Sequence, residues 1–214
     1  MNSFLILGAG KLATQIIRKI EILNTSLYQN ILGFYDDKKS VNTEVYKDLR
    51  VMGKFSDVYK FDHKEITLIP AIGYNELQKR LNVLNNFHSH KFNFENLVFS
   101  NHIFTEDIGI GNFFSPNTVI DVGSKIGNFN FFDISTSIGE DCEVGDGNYF
   151  SNSSVICGHC KISHSSFFGS NATLIDKVRI GSNCKINSSS LIHNDLKSNL
   201  HYLEARKHFV NESI

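Results

Sequence analysis

From Ile108 to Ile192 every sixth residue of the chain is a medium or large apolar residue, fifteen in succession: Ile108, Phe114, Ile120, Ile126, Phe132, Ile138, Val144, Phe150, Ile156, Ile162, Phe168, Leu174, Ile180, Ile186 and Ile192. An amphipathic helix needs intervals of three and four, and a half-buried strand needs two. An unbroken period of six predicts a β-solenoid, in which short strands wind into a stacked coil. Three hexads per triangular turn make about five coils, with residues eighteen apart stacked at about 4.8 Å. The residue after the apolar one is often glycine, as at Gly109, Gly127, Gly139, Gly145, Gly169 and Gly181. Glycine there predicts corners with positive φ. Four residues after the apolar position the chain carries Thr118, Ser124, Thr136, Cys142, Ser154, Cys160, Ser166, Ala172 and Cys184. Small residues at that place fit a narrow interior.

The N-terminal part follows another rhythm. Phe4-Leu5-Ile6-Leu7 is a short apolar run ending in Gly8-Ala9-Gly10, and Leu12, Ile16, Ile17, Ile20 and Leu23 then recur at helical spacing. A second run, Ile31 to Tyr35, stops at Asp36-Asp37. A third, Ile66 to Ile69, leads through Ala71-Ile72-Gly73 into a helical pattern of Leu77, Leu81 and Leu84. Strand, glycine turn, helix, strand and acid predict a small parallel sheet with ligand groups at the strand C-termini. The reading is therefore an α/β Rossmann-like domain over residues 1–98, followed by a β-solenoid domain over residues 99–214. The segment from Leu200 to Ile214 leaves the pattern and is expected to cap the last coil.

Charge changes this picture only by exclusion. Lys and Arg number 21 against 22 Asp and Glu, with no basic stripe, so neither a nucleic acid nor an anionic membrane is an expected partner. The first residues lack a basic n-region, and no apolar stretch reaches the length of a membrane span, which points to the cytoplasm. Cys157-Gly158-His159-Cys160 has the spacing of half a zinc or redox site. Three of the four cysteines occupy the small-residue place of the hexad, so buried reduced thiols and no metal are expected.

Gly8-Ala9-Gly10-Lys11-Leu12-Ala13 fits G-x-G-x-x-A between a strand and a helix, a place where backbone N–H groups favour a phosphate. Asp36 and Asp37, ending the second strand, stand where an acid meets a ribose or base. The 98 residues of this part leave little room for the substrate domain of an NAD-dependent oxidoreductase. Taken in order, Ile6-Leu7-Gly8-Ala9-Gly10, Gly33-Phe34-Tyr35-Asp36-Asp37, Ala71-Ile72-Gly73-Tyr74-Asn75 and the hexad repeat resemble the bacterial sugar acyltransferases of the sialic acid O-acetyltransferase type, which include nucleotide-linked amino-sugar N-acetyltransferases. The resemblance covers almost the whole chain.

That resemblance implies a left-handed parallel β-helix, a homotrimer, acetyl-CoA in the groove between neighbouring β-helices, and a nucleotide-linked sugar on the N-terminal domain. Gly8, Gly10, Asp36, Asp37, Gly73, Tyr74 and Asn75 are the candidates for the sugar-nucleotide site, although Tyr74 and Asn75 could equally serve to initiate a helix. The family's catalytic histidine falls two residues after a period-six aliphatic residue, and here that place is Glu140, followed by Asp141. A second histidine of the family corresponds to Asn148, which becomes a candidate at the CoA groove. Three readings stay open. Glu140 is the base, if desolvation raises its pKa; His159, stacked over Asp141, has taken the role; or no residue is the base. At the far end, Arg206 and Lys207 are candidates for CoA phosphates, in a segment lacking the family's Gly and Pro. The function implied is acetyl-CoA-dependent transfer to an amino or hydroxyl group of a nucleotide-activated sugar in surface glycan biosynthesis. A non-catalytic sugar-nucleotide-binding or scaffolding trimer of the same fold is the alternative.

Overall fold

The structure, a computed structural model, describes residues 3–203 of the 214-residue chain. The first six strands are β1 (Ser3–Leu7), β2 (Ile31–Tyr35), β3 (Glu44–Tyr46), β4 (Leu49–Gly53), β5 (Ile66–Pro70) and β6 (Asn93–Phe94), joined in the order β3-β4-β2-β1-β5-β6. Every pairing is parallel except that of β3 with β4. Four helices accompany them: α1 (Lys11–Leu23), α2 (Thr25–Gln29), α3 (Phe55–Val58) and α4 (Leu77–Ser89). The continuous apolar runs of β1 and β5 follow from burial on both sheet faces. On one side α1 buries Leu12, Ala13, Ile16, Ile17 and Ile20. On the other, α4 contributes Leu81, Leu84 and Phe87 to a cluster with Leu5, Leu7 and Leu68.

The remaining strands, two residues each, stack into three parallel sheets that fit a left-handed β-helix. The aromatic face runs through seven strands, from Leu97–Val98 to His201–Tyr202. The neutral face runs through six, from His102–Ile103 to Leu191–Ile192, and points Val119, Ser137, Val155, Thr173 and Leu191 outward. The charged face has four, from Lys125–Ile126 to Arg179–Ile180, and points out Lys125, Glu143, Lys161 and Arg179. The stack is longer than the unbroken period. Ile103 pairs with Ile120, seventeen residues on, and Ile180 with Leu196, sixteen on, so shortened corners keep the pairing while breaking the count of six.

Fourteen of the fifteen period-six residues are buried, and Ile108 is half-buried. Identical register forces their side chains to stack. Phe114, Phe132, Phe150 and Phe168 form an inner column with ring centroids 4.9, 4.9 and 4.6 Å apart. Phe113, Phe131, Tyr149 and Phe167 form an outer column at 4.5, 4.7 and 5.6 Å. Parallel rings at the interstrand spacing combine area burial with stacking. The outer column is also the seam to the N-terminal sheet: Phe113, Phe131 and Tyr149 share a cluster with Ile16, Ile17 and Ile20 of α1.

The expected interior is found. Thr118, Ser124, Thr136, Cys142, Ser154, Cys160, Ser166, Ala172 and Cys184 are all buried. Cys142 and Cys160 donate to the carbonyls of Cys157 and Ile175, at 3.1 and 3.2 Å, and all four cysteines are free. The hydrogen bond with Cys160, then burial, hold the Cys142 thiol well above its ordinary range. Cys157 is half-buried, facing away from the interior where Cys160 sits. Among the described residues no group of three or more His, Cys, Asp and Glu could hold a metal.

The reason given for the glycines needs correction. Positive φ occurs at the third residue after each apolar position, fourteen times in succession from Gly111 to Ser189, and eleven of those residues are not glycine. Gly109, Gly127, Gly139, Gly145, Gly169 and Gly181 have no positive φ. They are small because the next coil crosses close by: a Cβ on Gly169 would lie 2.4 Å from the backbone nitrogen of Ser188. Two substitutions separate the two explanations. Gly169→Ala should destabilise the protein by about 1–3 kcal/mol. Ser153→Gly, at φ 58°, should be neutral or stabilising by up to about 1 kcal/mol. Urea unfolding of both variants checks the signs.

Candidate functional site

The N-terminal candidates gather where β1, β2 and β5 end. Gly8 has φ 106°, and a Cβ there would lie 2.6 Å from the carbonyl oxygen of Ala71, so only glycine lets the turn after β1 approach the end of β5. Gly10 begins α1 with no side-chain cap and no acid in the first turn, leaving the first helical N–H groups for an anion. Gly73 has open space around it. Tyr74 leans over Tyr149 at 4.3 Å and Phe167 at 5.6 Å, tying this loop to the outer aromatic column. Asn75 is exposed and is not a cap: α4 starts after Glu76.

Asp36 and Asp37 are close to these turns but already employed. Asp36 accepts from the N–H of Ala9 at 2.8 Å, Lys38 at 2.8 Å and Lys39 at 3.0 Å. It therefore straps the glycine turn to the loop after β2. Asp37 accepts from the N–H of Phe55 at 2.9 Å, at the start of α3. Of the two, Asp36 fixes the shape of the site, and Asp37 is the more exposed.

The second set of candidates occupies a corner of the β-helix. Glu140, Asp141 and His159 lie between the neutral and charged faces, all exposed in the single chain. His159 stacks over Asp141, with Nδ1 3.7 Å from Oδ2, closer than the interstrand spacing alone gives. Both residues have left-handed backbone, φ 58° and 52°. The His159 N–H donates to the Glu140 carbonyl at 2.8 Å. The Glu140 carboxylate rests against Gly158, where a Cβ would lie 2.7 Å from Oε1. At the corner beyond the charged face the corresponding N–H groups are capped: Asn128 donates to Asp146, Asp146 to His164 and Ser182 to Ser198. Those of Glu140 and Gly158 meet no acceptor among the described residues, so two donors stay available beside an acid–histidine pair. His164 stacks instead with Asp146 at 3.6 Å, away from this corner.

Asn148 is a correction. It is fully buried, not at a groove. Its Nδ2 donates to the carbonyls of Gly145 and Ser163 and to Asn130 Oδ1, and its Oδ1 accepts from the N–H of Ser166. Together with Asn112 and Asn130 it forms a polar ladder inside the coil. The hexad count placed it four residues after Val144, among the small interior residues, which is the signal that separates it from a surface ligand. Arg206 and Lys207 lie outside the described residues.

Topology keeps the two sets apart. The aromatic face carries the N-terminal sheet, whereas the Glu140 corner lies between the other two faces. Within one chain the loops after β1, β2 and β5 and the Asp141–His159 pair are on opposite sides of the coil. Tyr149, Phe167 and Lys185, which line the loop side, escaped the sequence reading because each is merely the outward neighbour of a period-six residue.

No protein-family model matches the sequence, and no curated protein does either. Solved structures match nearly the whole chain. A mutant perosamine N-acetyltransferase from Caulobacter crescentus, in complex with CoA and GDP-perosamine, is similar with TM-score 0.80 and 18% identity, covering 94% of this chain and 93% of that one. The acetyltransferase domain of PglB from Neisseria gonorrhoeae FA1090, in complex with acetyl coenzyme A, gives TM-score 0.76 and 18% identity over 93% of this chain and 94% of that one. WeeI from Acinetobacter baumannii AYE gives 0.76 and 16% over 94% and 96%. At these identities the likeness is one of fold.

The ladder yields a direct test. Asn148→Ala strands the N–H of Ser166 and two carbonyls, and should lower stability by about 1–3 kcal/mol in a urea titration.

Proposed function

We propose that this protein transfers an acetyl group from acetyl-CoA to an amino or hydroxyl group of a nucleotide-linked sugar for surface glycan synthesis. The observation that carries this reading is the Asp141–His159 pair beside two unpaired backbone N–H groups. The full-length likeness to acetyltransferase structures supports it. On this reading residues 1–98 are a Rossmann-like domain holding the nucleotide sugar through Gly8, Gly10, Gly73, Tyr74 and Asn75, with Asp36 and Asp37 shaping the turns. Residues 99–214 are the acyltransferase domain.

His159 is the general base. Asp141 holds its Nδ1 side, which leaves Nε2 for the acceptor. Acetyl-CoA supplies the acyl group as a thioester. As the acceptor nitrogen or oxygen attacks the carbonyl carbon, its proton passes to His159 Nε2, and the backbone N–H groups of Glu140 and Gly158 steady the oxyanion. The C–S bond then breaks, and His159 returns the proton to the leaving sulfur. Gly139 and Gly158 keep this corner free of side chains of their own, with only the exposed Glu140 lying across it, which fits a narrow thioester arm. Glu140 is exposed among the described residues and pairs with no histidine there, whereas His159 has the Asp141 carboxylate beside it, so the base is assigned to His159 in preference.

Because the two half-sites face opposite ways in one chain, the complete site takes its parts from two copies. A cyclic homotrimer packed through the neutral face supplies that arrangement. The face has no outward charge from Val119 to Leu191. No helix among the described residues is long and apolar enough to cross a membrane. A cytoplasmic setting suits acetyl-CoA and the free thiols.

One observation favours the alternative of a non-catalytic sugar-nucleotide-binding trimer: Glu140 occupies the place expected for histidine. Thiol release from acetyl-CoA with a panel of nucleotide amino sugars decides. His159→Ala should lower turnover by roughly 10²–10⁴-fold, and Asp141→Asn by less. Turnover abolished by Glu140→Ala but untouched by His159→Ala moves the base to Glu140. Nucleotide-sugar binding without CoA binding or turnover means the non-catalytic reading is correct. Light scattering should report three chains per particle.

A further inference from the structure

Beyond the corner pair, a cleft of ligand size lies within the single chain. It lies between the segment following β5 and the outer surface of the aromatic face, encloses about 280 Å³, and is lined by Tyr74, Leu77, Ser165, Phe167, Asn183 and Lys185. A volume just below the ~300–1,000 Å³ of small-molecule sites suits one ring with one charged group. Its floor is the end of the outer aromatic column. Tyr74 is 42% exposed and lies 24° from parallel to Phe167. Lys185 occupies the next rung, paired in register with Phe167, so a cation replaces the ring that would continue the column.

Two cations adjoin this cleft, whereas Glu76, between the lining residues Asn75 and Leu77, is held by Lys79. Lys185 makes no ion pair among the described residues. Arg80, one turn beyond Leu77 on α4, is only 3% exposed, and its Nε and Nη1 have no acceptor among the described residues. Burial pushes its guanidinium down to about 10, which still leaves it charged at neutral pH. The ionisable group beside it is Tyr149, whose ring contacts Tyr74 and Phe167. Burial first, then Asp133, hold the Tyr149 phenol well above its ordinary range, so it stays neutral and does not offset Arg80. Asp133 itself is engaged by Lys19 at 3.5 Å. A buried cation without a counter-ion is unfavourable unless an anion approaches. Ser165 Oγ, in the cleft wall, is likewise buried without a partner.

We infer that this cleft is an anion-binding subsite, in which Lys185 contacts the phosphate of a ring-bearing ligand stacked on Tyr74 and Phe167, and Arg80 supplies positive potential from behind Tyr149. The inference deepens the proposed function and rests on it for the ligand's source, because a nucleotide-linked sugar and CoA both carry phosphates beside a flat ring. Tyr74 was expected at the site from sequence; Arg80, Ser165, Phe167 and Lys185 were not.

Calorimetric titration of the full-length protein with UDP, GDP, CoA, and the nucleosides uridine and guanosine tests it. UDP or GDP should bind, and Lys185→Met should weaken that binding on the order of tenfold with an unchanged melting temperature. Arg80→Lys should keep most of the affinity, and Arg80→Gln should lose it; if Arg80→Gln fails to fold, Lys185→Met and Arg80→Lys still decide. A loss confined to CoA assigns the subsite to the donor's phosphates, and a loss confined to UDP or GDP assigns it to the acceptor's. Unchanged affinities in Lys185→Met, or nucleosides binding as tightly as their diphosphates, overturn the inference. Lys185-dependent diphosphate binding without thiol release leaves the subsite standing and defeats the acyl-transfer reading. Thiol release with Lys185-independent binding does the reverse.

Discussion

One left-handed corner in every hexad governs the rest of this molecule. From Gly111 to Ser189 the third residue after each core position has φ between 52° and 71°. The non-glycine residues at these corners bear a conformational cost that the stack must offset. It does so partly through hydrogen bonds to the coil below, as when the Asp141 N–H donates to the Val122 carbonyl and the His159 N–H to that of Glu140. Once the corners are fixed, residues eighteen apart superimpose, and whatever a column contains must stack.

Each column then becomes a device of a different kind. Phenylalanines make a doubled aromatic wall, whose inner rings form the core and whose outer rings receive the N-terminal sheet. Asparagines make a buried ladder that satisfies carbonyls an apolar side chain would leave bare. At an exposed corner the same stacking brings Asp141 and His159 to 3.7 Å, a contact neither residue has any local reason to make. Stacking also explains the glycines, which permit the crossing of successive coils.

The N-terminal sheet is positioned by a few specific contacts. Asp36 ties the glycine turn to the end of β2, Gly8 lets the turn meet Ala71, and Tyr74 seats the following loop on the aromatic column. Phe129 enters the cluster beneath α4 from a left-handed corner. These contacts place the loops after β1, β2 and β5 beside the aromatic face, with Lys185 at the cleft and Arg80 behind Tyr149. They also turn those loops away from the Glu140 corner.

Much of this was legible in the chain. The period of six alone gave the stacked coils, the buried small residues at Ser124, Cys142 and Ser166, and the register that sets His159 over Asp141, because a repeat repeats its geometry. The runs ending at Gly8, Asp37 and Gly73 likewise marked where β1, β2 and β5 end. The conformational role of the corner glycines was misassigned, since composition reports that a residue is small without saying whether φ or a neighbouring backbone requires it. Asn148 sits inside the coil, where its hexad position belongs, and the Ala9 N–H holds Asp36 against the glycine turn, a contact no sequence pattern announces. The coil's extension to Ile103 and Leu196 was hidden by shortened corners. What the sequence determined by itself is therefore the periodic part, in which each contact is dictated by register. Which face the N-terminal sheet covers, the burial of Arg80 without a counter-ion among the described residues, and the separation of the N-terminal loops from the Asp141–His159 pair were decided only by the tertiary structure, because they depend on the docking of two differently patterned segments whose contacts follow no common period.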